Sequence, residues 1–123
     1  MIQGKYIYSA DKNEIKGVVL AQNRTVATGR LYWENQIYYI DDITVCKEEQ
    51  GKGYGDFIVK MLVDKAFREG TGEVIIYSPY MVAAFFEKIG FTSVKNEKED
   101  EKQKEAKVKL RLRQEDLLRK CQK

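Results

Sequence analysis

Chemistry in this chain concentrates between Ile40 and Gly55, in the run IDDITVCKEEQGKGYG. Glycines at 51, 53 and 55 let the backbone approach a ligand closely and turn successive N–H groups outward. A helix beginning near Gly53 adds the positive end of its dipole, so the turn suits a phosphate or pyrophosphate, with Lys52 able to add a charge. A glycine-rich β-to-α turn that binds nothing has the same spacing, so spacing alone leaves both readings open. Just upstream, Asp41 and Asp42 are adjacent, and strand alternation sends them to opposite faces, so only one should face a given ligand. The chain has no histidine, which excludes His-containing triads and HExxH zinc sites. Its two cysteines, Cys46 and Cys121, make a poor metal site, and no metal is expected. Acid/base chemistry therefore falls to Asp, Glu, Tyr, Lys or water. Cys46, close after the strand, could be acylated, although a small buried hydrophobe is the commoner use of cysteine.

The turn is not a Walker loop, which needs GxxxxGK followed by Ser or Thr, nor the GxGxxG dinucleotide fingerprint, because its glycines are spaced by two throughout. It does resemble motif A of the GCN5-related N-acetyltransferases, (Arg/Gln)-x-x-Gly-x-(Gly/Ala), with Gln50, Gly53 and Gly55 in the three defined places. Downstream, Phe85 to Phe91 (FFEKIGF) is similar to the FYEKLGF motif of the same superfamily, in the correct order and separated by a helix and a strand. The resemblance covers roughly residues 17 to 113. It implies a mixed, twisted sheet whose two central parallel strands splay into a V that holds acetyl-CoA. Main-chain groups around Ile43 and Val45 would meet the pantetheine, and Gln50, Gly51, Lys52, Gly53, Tyr54 and Gly55 would hold the pyrophosphate through backbone N–H groups. A backbone N–H near Val45 would polarise the thioester carbonyl, and the amine would attack directly in a ternary complex.

An amine at neutral pH must lose a proton before attacking, and a carboxylate can take it, for about 10²- to 10⁴-fold in rate. The DDITV run is similar to the acidic pair of diamine acetyltransferases in this superfamily. That likeness favours Asp41 as base or cation-binding residue, with Asp42 second, against a carboxylate merely paired to a nearby Lys or Arg. Many family members use the tyrosine of FYEKLGF to protonate the leaving thiolate. Here that place holds Phe86, which has no proton to give and would pack against the ligand or the core. Tyr80, at the entrance of the same helix, is the nearest replacement in sequence, with solvent as the alternative.

Positioning these residues requires a particular order of elements. Tyr6 to Tyr8, Gly17 to Ala21, Thr25 to Trp33 and Ile37 to Val45 read as strands, with turns at Gln22–Arg24 and Glu34–Gln36, giving an antiparallel meander. Tyr38, Tyr39 and Trp33 could line an acceptor pocket or simply pack the sheet. From Gly53 to Glu69 the apolar residues recur at helical spacing, and Gly70 and Gly72 stop the helix by taking φ > 0. Glu73 to Tyr77 is a short buried strand. Ser78 then reads as an N-cap with Pro79 at the first helical position, and Val82, Phe85, Phe86 and Ile89 form one stripe closed by Gly90. The strand–helix–strand crossover implies a parallel pair, so the fold class is α+β, or mixed α/β, with helices flanking the sheet. Lys95 to Lys107 balances equal numbers of Lys and acids and reads as a solvated loop or frayed helix. Val108, Leu110 and Leu112 alternate with basic residues as a last half-buried strand, and Gln114 to Lys123 as a short helical tail.

The 123 residues make a single domain, 1–123, with 43% hydrophobic and 33% charged residues, too apolar for disorder and too charged for a membrane protein. The N-terminal ten residues lack the features of a signal peptide, and the two cysteines read as reduced thiols, which suits a cytoplasmic location. Only about 16 residues precede Gly17, whereas family members usually place a strand and one or two helices there. The acceptor side is therefore expected to be open or completed by a second subunit, as in a homodimer. The leading reading is an acetyl-CoA-dependent N-acetyltransferase whose acceptor is a small-molecule or protein amine, with the two aspartates tilting it toward a cationic small molecule. The alternative is a catalytically weakened acyl-CoA-binding regulatory or interaction module, which Phe86 and the short N-terminus favour. A nucleic-acid partner would rest only on a net charge of +3, and the balanced charges of the 95–107 segment speak against it.

Overall fold

The computed structural model describes residues 2–10, 13–94 and 107–116. Four strands come first: β1 (Ile2–Tyr8), β2 (Glu14–Ala21), β3 (Arg24–Glu34) and β4 (Ile37–Val45). A 3₁₀ turn at Lys47–Glu49 leads into helix α1 (Tyr54–Arg68), strand β5 (Glu73–Pro79), a second 3₁₀ turn at Tyr80–Val82 and helix α2 (Ala83–Ile89). A two-residue strand β6 (Thr92–Ser93) and strand β7 (Lys107–Arg113) complete a seven-stranded sheet ordered β1-β2-β3-β4-β5-β7-β6. All neighbours run antiparallel except β4 and β5, which are parallel because α1 carries the chain across between them.

The meander follows from its turns. Gln22 and Asn23 (φ +53° and +66°), then Asn35 and Gln36 (φ +52° and +67°), are two-residue left-handed turns whose twist matches that of the flanking strands. Arg24 and Glu34, expected in the turns, are strand ends instead. The first strand is longer than its apolar core suggested, because its backbone pairs with β2 along its whole length, Ile2 opposite Ala21 through Tyr8 opposite Ile15.

Two further expectations are corrected. Ser78 caps no helix: β5 runs on through Pro79, its pairing with β7 reaching Lys107, and Ser78 is fully buried with its hydroxyl donating to the Pro79 carbonyl at 2.8 Å. Of the two glycines expected to end α1, only Gly70 takes positive φ (+104°). Strand β6 had no apolar run to announce it; it exists by pairing with β7. The charged stretch 95–106 and the tail beyond residue 116 lie outside the described residues, whereas Lys107 opens β7 and residues 114–116 are helical.

Both helices cover one face of the sheet. From α1, Ile58, Val59, Leu62, Val63 and Ala66 are buried, worth about 1.5–3 kcal/mol for each large side chain. They join Phe86 of α2, Val74 and Ile76 of β5, and Leu110 and Leu112 of β7 in one core. The helix settles close because the strands beneath it carry glycines. A Cβ at Gly17 would stand 2.9 Å from Leu62 Cδ2, one at Gly29 2.6 Å from Ile43 Cδ1, and one at Gly4 2.7 Å from Met61 Sδ. Gly17 and Gly29 are direct partners across β2 and β3. Among the described residues no helix covers the opposite face, where Glu14, Lys16, Arg30, Tyr32, Tyr39, Asp41 and Arg111 stand on the alternate positions of their strands.

Candidate active site

The centre of the sheet comes apart at one end. The parallel ladder pairs Tyr38 with Val74, Tyr39 with Ile75 and Ile40 with Ile76, and stops there, although β4 continues to Val45 and β5 to Pro79. Beyond Ile40 the β4 edge that faced β5 has no strand partner among the described residues, which makes the expected V. Its cause is visible on the other side of β4. Arg30 pairs with Asp41 and Thr28 with Thr44, so Gly29 alone opposes two residues, Asp42 and Ile43. Asp42 takes φ +53°, and this β-bulge bends β4 away from β5 where the pairing ends.

The bulge also changes where the two aspartates point. The expected alternation does not hold, because the extra residue resets it. Ile43 turns to the helix face against Gly29, while the Asp41 and Asp42 carboxylates both reach Arg30 on the open face. Asp41 is bidentate with the guanidinium, at 2.7 Å from Nε and 2.5 Å from Nη2; Asp42 is 3.9 Å away and its side chain is 77% exposed. Arg30 also donates to Glu14 at 3.1 Å and lies 4.5 Å over the Tyr32 ring. Its pKa is raised, chiefly by the Asp41 hydrogen bond, with burial opposing. Tyr32, Tyr39 and Tyr77 stack side by side along this face, at 5.2 Å and 6.3 Å between centroids. Trp33 and Tyr38, grouped with Tyr39 by sequence, pair with each other one residue out of step with that row.

Above the V sits the glycine loop. Gly51 and Gly53 hold φ of +85° and +90°, and a Cβ built on either would meet nothing within 4 Å, so their bare backbone faces open space. Gly53 caps α1 and no side chain satisfies the first N–H groups of the helix, which leaves them for an anion. A Cβ at Gly55 would stand 3.4 Å from the Phe85 ring and 3.6 Å from Val45 Cγ2, so this glycine lies beneath both side chains. Gln50 donates from Nε2 to the Val45 carbonyl at 3.3 Å, tying the loop to the end of β4. Lys52 is not free: its ammonium lies 3.0 Å from Glu49 Oε1, and Arg24 holds the other oxygen at 2.7 Å. Glu49 is the sole buried acidic residue among those described, and the Lys52 hydrogen bond, chief among several causes, holds its carboxyl below the usual range. The thiol of Cys46 is exposed and donates to the Thr25 carbonyl at 3.4 Å.

The α2 residues split. Phe86 is buried in the core, edge-on to Phe85 and Phe91 at 5.1 Å and 6.1 Å. Tyr80 is 73% exposed, beside the exposed Met81 and Val82 at the end of β5. Sequence reading missed Arg30, Glu49 and the tyrosine row. Arg30 was recoverable, because a two-residue turn at 35–36 fixes the hairpin register and sets Arg30 opposite Asp41. The same register sets Tyr32 opposite Tyr39, whereas the Arg24 partner of Glu49 and the Tyr77 end of the row carried no local signal, being 25 residues and a whole crossover away.

Comparison with known proteins agrees with this geometry. A protein described as a candidate acetyltransferase from Exiguobacterium sp. 255-15 superposes with a TM-score of 0.74 at 15% identity, over 98% of each chain. The PaiA N-acetyltransferase of Thermoplasma acidophilum, solved with coenzyme A, gives 0.70 at 11% identity, over 85% of this chain and 63% of that one. A candidate streptothricin acetyltransferase from Bacillus anthracis, solved with acetyl coenzyme A, gives 0.70 at 21% identity, over 86% and 65%. The chain thus spans under two thirds of the two ligand-bound relatives, and at these identities the likeness is one of fold. No curated protein matches the sequence significantly. The model of the Acetyltransferase (GNAT) family matches residues 3–91, from β1 past the end of α2. With most of its length matched in sequence, the chain belongs to the acetyltransferase (GNAT) family.

Proposed function

We propose that this chain is an acetyl-CoA-dependent N-acetyltransferase that moves the acetyl group to a primary amine by direct attack. The observation that carries the reading is the ladder that ends at Ile40–Ile76 directly below a bare glycine loop and a helix start without a side-chain cap. A donor of this class is a pyrophosphate on a long, amide-bearing arm. The N–H groups from Gly51 to Gly55 suit the phosphates, and the unpaired strand edges beside Ile43 and Val45 suit the amides. That two fold relatives hold coenzyme A and acetyl coenzyme A supports the same donor here.

The acceptor enters, on this reading, from the uncovered face of the sheet. Asp41 and Asp42 remain the candidates for holding and deprotonating it, and their surroundings divide the work. Both Asp41 oxygens are committed to Arg30, whereas Asp42 is exposed and has only a distant ion pair, so Asp42 is the freer base. Carboxylates here favour a cationic small molecule as acceptor. Phe86 supplies no proton, and the leaving thiolate takes one from Tyr80 or from water. A second copy of the chain completes the acceptor side, which the described residues leave uncovered.

The test is acetyl-CoA binding by calorimetry at fixed salt, with Gly53→Glu as control, followed by turnover with a panel of amines. Micromolar binding lost in the control, with turnover of at least one amine, is the expected result. Absence of binding by folded wild-type protein overturns the reading. Binding without turnover of any amine supports the second one, a CoA-binding module with weakened catalysis, which the burial of Phe86 favours.

A further inference from the structure

Glu49 stands out because acidic side chains are seldom buried, and a carboxylate beside a phosphate-binding loop opposes the ligand unless its charge is already spent. Here it is spent twice. One oxygen takes Lys52 from the glycine loop at 3.0 Å, and the other takes Arg24 from the start of β3 at 2.7 Å. The two cations are more than half exposed while the carboxylate between them is 11% exposed, so the triad presents positive charge outward and hides its negative charge. A cleft of about 440 Å³, lined by Gln22, Arg24, Glu49, Lys52 and Tyr54 among others, opens beside it. Gly51 and Gly53 flank Lys52, and a Cβ on either would meet nothing within 4 Å; the loop's other ties include the Gln50 amide on Val45, the Glu49 N–H on Cys46 at 2.8 Å, the Gln50 N–H on Lys47 at 3.5 Å and the Phe57 N–H on Gly53 at 3.0 Å.

We infer that Glu49 is a positioning residue for the donor: it holds Lys52 and Arg24 at the edge of the glycine loop so that both face the phosphates of a CoA thioester. This rests on the acyl-CoA reading above and adds to it a function for two cations outside the glycine motif. A lysine on a glycine-flanked backbone loses side-chain and loop freedom on meeting a phosphate, and a pre-formed ion pair removes part of that cost beforehand. Arg24 extends the positive edge to the β2–β3 turn, a part of the molecule that motif spacing does not reach.

The experiment is a double-mutant cycle on CoA affinity, read by calorimetry, with melting curves to establish folding. Glu49→Gln, which keeps the shape and removes the charge, is expected to weaken CoA about tenfold. In the Arg24→Gln/Lys52→Gln background the same substitution is expected to change affinity less than about twofold, because the residues it acts through are gone. Equal loss in both backgrounds overturns the inference and makes Glu49 a structural residue of the loop. Unchanged or tighter binding in Glu49→Gln alone overturns it too, the latter marking Glu49 as a restraint. Should Glu49→Gln fail to fold, Arg24→Gln and Lys52→Gln decide: each must weaken CoA several-fold, and unchanged affinity in both sinks the idea. Failure of the acyl-CoA reading is seen separately, as no CoA binding by the wild type.

Discussion

Asp41 and Asp42 share a residue type and a neighbourhood and differ in what they touch. Asp41 closes a bidentate ion pair that is about two-thirds buried on both sides, so Asp41→Asn should cost about 1 kcal/mol in urea unfolding. Asp42→Asn should leave stability within about 0.5 kcal/mol, since asparagine tolerates the left-handed backbone there and the side chain is mostly in water. If Asp42 is the base, the same change lowers turnover by about 10²- to 10⁴-fold, and equal turnover by both variants removes it from that role. Glu49 gives a pH prediction. Its carboxyl is held below the ordinary range, so its contribution is complete above the unfolded carboxylate pKa and fades as pH falls through the lowered folded value. Wild type and Glu49→Gln should therefore differ in melting temperature at neutral pH and converge in acid. Curves that stay parallel down to the acid limb would refute this.

At the level of elements, the α1–sheet contact is set by what the strands lack. Gly29→Val must push Ile43 and Leu62 aside and should cost about 1–3 kcal/mol, measured by chemical denaturation. Gly72→Ala is the contrast, with open space at its Cβ and no positive φ, and should cost nothing or stabilise by up to about 1 kcal/mol. Similar effects from both would mean α1 does not sit where the glycines admit it. The Tyr6 hydroxyl, donating to the Met61 carbonyl at 2.9 Å, and Lys65 over the rings of Tyr6 and Tyr8 fasten β1 to the same helix. The edge strand is thus held by side chains as well as by its ladder.

At the scale of the molecule, the described residues are one-sided. The helices and the core lie on one face, and the other is finished with charges and tyrosines laid across adjacent strands. Val18 and Ile75 are still buried there, with no covering helix among the described residues. Such a face can stand in water, and it can also meet a matching one. Sedimentation should show a particle of twice the 14.3 kDa chain if a second copy completes the acceptor side. A monomer at all concentrations would leave the acceptor cleft open to solvent.

Sequence alone determined the strand order through β5, the crossover, the glycine loop and the family, because these rest on local chemistry. Turn residues, apolar period and glycine spacing act within a few residues of themselves. It predicted Ile37–Val45 to the residue, and it gave the loop its motif. What it did not decide was what rests on irregular register or on contacts between distant parts of the chain. The bulge at Asp42 arises from the register of β3 against β4, and it overrode the alternation that would have parted the two aspartates. Ser78 and Pro79 look like a helix start, but the ladder with β7 kept them in the strand. Glu49 reads as one more charge in KEEQ until folding brings Arg24 to it from the start of the neighbouring strand β3. Local signals name the elements and the loop; register and packing decide which side chains end up sharing a face.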